Sequence, residues 1–118
     1  MQITTIPGKM VQTWNGEVKA VVDTWTNYGA TLDEFKQAVL IKGLNHAKLN
    51  QGRAWIVDSS KANGSFSQEI QNFIGSDIFP SFAKAGIKYF ITITSESAVT
   101  RMTIRSYTAK LARMEFNL

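Results

Sequence analysis

Asp58, Ser59 and Ser60 close a short apolar run, Ala54 to Val57, and set a carboxylate beside two hydroxyls. Ser65 and Ser67 follow, at the entry to a segment where Phe66, Ile70, Phe73 and Ile74 recur at helical spacing. Such a set suits a phosphate switch, the rim of a ligand pocket, or the polar punctuation of a strand–loop–helix unit. Ser65 with Gln68 has the spacing of a capping box, and Ser67 is the alternative cap. A helix N-terminus also stabilises a phosphate through its free N–H groups and its dipole, so Ser65 and Ser67 are the candidate phosphorylation or switch positions. Glu69 nearby opposes such an added charge. Asp58 is expected to turn its carboxylate onto neighbouring N–H groups as a turn former.

Acid–base catalysis has little to work with. The chain has one histidine, His46, and it falls on a predicted helix away from the serines, whereas a base must lie within hydrogen-bond reach of its proton. There is no G-x-S-x-G elbow, and no Gly-Lys-[Ser/Thr] follows Ala62-Asn63-Gly64-Ser65, which excludes a P-loop. With no cysteine and one histidine, a transition-metal shell cannot be assembled. No catalytic residue, metal or cofactor is therefore expected. An enzyme using Asp58 and the surrounding hydroxyls is the alternative of lower rank. Trp25 and Tyr28, together with Asp58, Ser59 and Ser60, form a candidate ligand-binding rim, with Thr26, Asn27 and Thr94-Ser95-Glu96-Ser97 beside it.

Charge offers a second surface. Arg101, Arg105, Lys110 and Arg113, with Lys84 and Lys88 upstream, read as a basic face suited to an acidic partner or anionic headgroups. Arg101 and Arg105 stand four apart on one helical face. A net charge of +4 falls short of a nucleic-acid footprint, so no nucleic acid is expected. No apolar run approaches the roughly 18–20 residues of a membrane span. MQITTIPGKM lacks the blocks of a signal peptide, and the absence of cysteine fits a reducing compartment; a cytoplasmic location is expected.

These residues need elements to hold them. At 118 residues the chain is sized for a single domain, 1–118. Asn15-Gly16, between Lys9–Trp14 and Glu17–Trp25, predicts a β-hairpin with a type I′ turn, with Val18, Ala20 and Val22 on one face of its second strand. Thr31 with Glu34 predicts a capping box and a helix from Leu32 to about Leu49, closed by Asn50-Gln51-Gly52. Gly43 lies inside the apolar stripe of that helix and predicts a close approach to a sheet; Lys36 interrupts the stripe. Ala54–Val57 reads as a strand. A helix through Phe66–Ile74 is expected to break at Gly75-Ser76-Asp77, which caps a second helix, Ile78–Ala85, with Pro80 in its first turn and Gly86 as its stop. Ile87 to Thr94 alternates, with Ile87, Tyr89, Ile91 and Ile93 on one face; a helix over Ser97–Tyr107 and a strand over Lys110–Phe116 complete the order β-β-α-β-α-β-α-β.

Three stretches, TLDEFKQAV, WIVDSSKANGSFSQE and IFPSFAKAGIKYFITI, resemble the single-domain proteins of SpoIIAA-like fold, grouped with STAS and SEC14-type domains. The resemblance runs from about Trp25 to Thr94 and rests on Thr31, Glu34, Phe35, Asp58, Ser67, Phe79, Pro80, Ala85, Gly86, Ile87 and Lys88. It implies an α/β fold: a mixed, mostly parallel sheet of about five strands with three or four helices mainly on one side. It also implies a non-enzymatic binding or regulatory module, with a protein partner or a small apolar ligand. Partner-switch members carry a phosphorylated serine in a D-S-S-G-L-type turn, whereas here Asp58-Ser59-Ser60 continues as Lys61-Ala62-Asn63-Gly64. Family members usually close on a further helix. With a terminal strand instead, Leu111, Met114 and Phe116 are expected to be open to a homodimer contact.

Overall fold

The computed structural model describes residues 1–112, with side chains through residue 109. Strands β1 (Gln2–Ile6), β2 (Met10–Asn15), β3 (Ala20–Trp25), β4 (Ala54–Asp58) and β5 (Tyr89–Ile93) form one sheet in the order β1-β2-β3-β4-β5. The first two junctions are antiparallel and the last two parallel. Helix α1 spans residues 32–49 and is π-helical over Lys36–Gly43, α2 spans residues 68–84, and α3 Ala98–Ala112. The molecule is thus α/β, a five-stranded mixed sheet with three helices. Successive crossovers of one hand, advancing across the sheet in one direction, put their helices on the same face.

That face holds the core. Gln12 and Met10, Val21, Asp23 and Trp25, Trp55 and Val57, and Phe90 point into it, and all are buried. The opposite face is left open, with Val11, Tyr89, Ile91 and Ile93 exposed. The alternating residues of β5 therefore face outward, and the inward side chain is Phe90, against Phe79 at 5.1 Å between ring centroids.

Four expectations are corrected. A strand precedes the predicted hairpin: Pro7-Gly8 occupies the centre of a turn in which Ile6 O accepts from Lys9 N at 2.9 Å, with Gly8 at φ +72°. Positive φ at the third position of a Pro-Gly turn is the type II geometry, and it folds Gln2–Ile6 back onto β2. The second hairpin is not a two-residue type I′ turn. Asn15 pairs with Ala20 around a loop of residues 16–19, Asn15 Oδ1 accepts from Glu17 N at 3.0 Å, and Lys19 rather than Gly16 takes the positive φ, so Val18 lies in the loop and is exposed.

The break at Gly75-Ser76-Asp77 is absent. Ile74–Ile78 winds as a wider π-helical turn between Gln68–Phe73 and Phe79–Lys84, with Ile74 and Ile78 both buried. The wide turn ends just before Pro80, which has no N–H to give an α-helical bond. Lastly, the strand predicted from Lys110 is helix through residue 112, because the buried spacing Thr100, Thr103, Ile104 and Tyr107 leads into strong helix formers. Arg113, Met114 and Phe116 lie outside the described residues.

Candidate functional site

The carboxyl ends of β3, β4 and β5 do gather the predicted rim, and its polar groups are turned on one another. Asp58 Oδ1 accepts from Ser60 N at 3.0 Å and from Ser60 Oγ at 2.7 Å, the turn-forming role read from the sequence. Ser59 is fully buried, its hydroxyl bonded to that of Tyr28. Trp25 and Tyr28 are in the core beneath the rim: Tyr28 stacks on Phe66 at 4.0 Å, and Trp25 meets Phe66 edge-on at 5.1 Å. The loops above are stitched together by Ser95 Oγ to Ala62 O at 2.7 Å, Thr100 Oγ1 to Gly64 O at 2.6 Å and Tyr28 N to Asn63 O at 2.9 Å. Burial pushes the Tyr28 hydroxyl up, and pushes that of neighbouring Tyr107 well up.

Ser67 Oγ accepts from Ile70 N at 3.1 Å and is the cap of α2; Ser65 is exposed and makes no cap bond. Arg101 bonds the carbonyls of Ser95 and Glu96 at 3.3 and 3.0 Å, with Arg105 one turn on and exposed. His46, in the last turn of α1, packs edge-on against Trp14 at 5.1 Å, and no serine hydroxyl reaches it. Among the described residues no three His, Asp or Glu side chains gather as a metal site.

One residue escaped the sequence reading. Asp23 sits mid-strand and faces the core, where Gln12 Nε2 donates to its Oδ1 at 2.9 Å and Trp55 Nε1 to its Oδ2 at 2.8 Å. Burial raises its pKa to about 6 against the pull of those two donors. The clue lay in VVDTW: strands are poor in aspartate, and alternation puts residue 23 on the side of Val21 and Trp25. Asp23 lines a cavity of about 30 Å³ walled by Trp25, Phe35, Trp55 and Tyr107. That holds about one water, not a substrate or an acyl chain.

The other end of the sheet differs in chemistry. Parallel β3, β4 and β5 start there in register, so the residues just before them form a row: Arg53 N donates to Lys19 O at 2.8 Å and Lys88 N to Arg53 O at 2.7 Å. Helices α1 and α2 return to that end and carry Lys48 and Lys84 in their last turns. All five side chains are exposed. The β2–β3 loop brings one carboxylate there, Glu17. Among the described residues the ion pair is Lys9–Glu34 at 3.0 Å, at the opposite end, where Thr31 N–H and then Lys9 hold the Glu34 carboxyl low. The predicted basic face is thereby divided: Lys84 and Lys88 belong to this pole, and Arg101 to the other.

Comparison with protein-family models, with curated proteins and with solved structures finds no match. No helix among the described residues is long and apolar enough to cross a membrane.

Proposed function

We propose that the chain is a non-catalytic binding module of SpoIIAA/STAS type that docks an acidic protein partner. The observation that carries this reading is the pole of Lys19, Lys48, Arg53, Lys84 and Lys88, exposed together with, among the described residues, a single carboxylate, Glu17. Opposed potentials steer encounter and select partners, and five cations of one sign at one end are suited to that. The engaged state of the rim hydroxyls supports a binding role over catalysis. The small interior cavity favours a protein partner over an apolar ligand.

The test is fluorescence anisotropy with labelled poly-glutamate as the acidic probe. Reversing Lys19, Arg53 and Lys88 to Glu is expected to weaken binding roughly tenfold or more at low salt. Reversing Lys61, Arg101 and, midway along α3, Arg105, the same number of charges away from the pole, should leave most of it. Equal losses in the two variants would show that net charge alone is sensed, and the proposed surface would be wrong.

A further inference from the structure

We infer that the groove between α1 and α2 at the basic pole is the seat of an acidic amphipathic helix from the partner protein. The inference rests on the reading of that pole as the contact surface and specifies how the contact is made. The groove has a volume of about 340 Å³. Along α1 its wall runs Leu40, Ile41, Leu44 and then Lys48; along α2 it runs Ser81 and Lys84. Both helices return from the carboxyl ends of parallel strands, so they point the same way and leave a furrow between them. Ile41 is 48% exposed although it is an isoleucine on a helix wall.

The chemistry of the lining selects the occupant. A free phosphate or carboxylate finds two lysines but an apolar floor, with no converging N–H groups to hold it. A wholly apolar occupant satisfies Ile41 and half-buried Leu40 but desolvates two ammonium groups without return. A segment with an apolar stripe flanked by Glu or Asp answers both, placing its stripe on Ile41 and half-buried Leu40 and its carboxylates beside Lys48 and Lys84. Because the groove is open, the far side of the occupant stays in water, as the polar face of an amphipathic helix requires.

Three probes test this on the full ¹⁵N-labelled chain: a helical peptide with leucines at i, i+3, i+4 and i+7 flanked by glutamates, a scramble of the same composition without the stripe, and vesicles of phosphatidylserine in phosphatidylcholine. The striped peptide is expected to bind roughly tenfold tighter than the scramble and to shift the amides of Leu40, Ile41, Leu44 and Ser81. Ile41→Glu and Lys84→Glu, both at exposed positions, should each lower that affinity roughly tenfold with thermal unfolding unchanged. Equal binding of peptide and scramble removes the groove and leaves the acidic-partner reading standing. Failure of both peptides removes both. Vesicles bound in preference to either peptide overturn the inference in favour of a membrane surface.

Discussion

Asp23 weakens the fold at neutral pH although both its oxygens are hydrogen-bonded. Its folded pKa of about 6 lies above the ordinary aspartate value of 3.8, so the native state holds the proton more tightly than the unfolded chain does. Stability therefore falls as pH rises from about 4 to about 6, by roughly 3 kcal/mol across that window, and is flat in this respect above it. Asp23→Asn should abolish that slope and stabilise the protein at pH 7. The asparagine still accepts from Trp55, and its new N–H₂ reaches Gln12 Oε1, an atom left without a partner, once the Gln12 amide turns over. Urea unfolding at pH 4, 5, 6 and 7 decides it, and parallel wild-type and variant curves would refute the assignment. Ser67 shows the other kind of residue. Its role in capping is local, and Ser67→Ala should cost about 1 kcal/mol, whereas Ser65→Ala should cost little. A thermal melt in which the two serines behave alike would count against the assigned cap. The contrast explains what could be read early: Asp58 and the cap of α2 act within three residues, so the turn was legible and the cap was narrowed to Ser65 or Ser67, whereas Asp23 depends on partners 11 and 32 positions away.

Elements were legible wherever a short signal set them, and misread where packing decided. The Thr31–Glu34 capping box is formed, with both of its hydrogen bonds in place. The predicted close approach at Gly43 is real: a Cβ there would lie 2.6 Å from the Gln12 side chain and 2.8 Å from the Trp55 ring. Gly43→Ala would gain about 1 kcal/mol of helix propensity on an exposed surface. Here the contact with the buried Gln12–Asp23–Trp55 set outweighs that gain, and the expected net loss is about 1–3 kcal/mol by chemical denaturation. A neutral or stabilising result would mean that α1 rides higher on the sheet. Pro7-Gly8 is a turn signal of standard kind, and the strand it outlines was missed because that strand is shorter and more polar than its neighbours. The reading of α2 failed for a different reason. Gly75-Ser76-Asp77 has the composition of a break, but Ile74 and Ile78 are both drawn into the core, and a wide turn reconciles the two. In β5, alternation revealed the strand but not which side is wet. Phe90→Ala should cost about 3–5 kcal/mol and Ile91→Ala well under that, since Phe90 is buried and Ile91 is 46% exposed. Equal losses would reverse the facing of the sheet.

On the scale of the whole molecule, the net charge of +4 said little, and the separation of charge says more. That separation follows from topology: parallel strands all begin at one end, and the helices between them all finish there, so cations before strands and in last helical turns collect at one pole. No window of the sequence contains that pole, because Lys19, Arg53 and Lys88 become neighbours only through strand register. Lys19 also keeps a positive φ of +53°, a conformation that glycine or asparagine would adopt with less strain. Adjacent strands lie about 4.8 Å apart, so the three row residues sit well inside the Debye length of about 30 Å at 0.01 M salt, and none has an ion-pair partner among the described residues. Their mutual repulsion opposes folding at low salt and is largely screened at about 1 M, where the Debye length falls to about 3 Å. Arg53 is the middle of the row. Arg53→Glu replaces two repulsions with two attractions and should raise the melting temperature in 0.01 M salt, with the difference from wild type closing as salt is added to 1 M. The same substitution should weaken binding of an acidic probe, so stability and binding move in opposite directions at one residue. If Arg53→Glu lowers the melting temperature at low salt, or raises it by the same amount at every salt concentration, the row is not a concentration of unopposed charge, and the docking surface built on it loses its foundation.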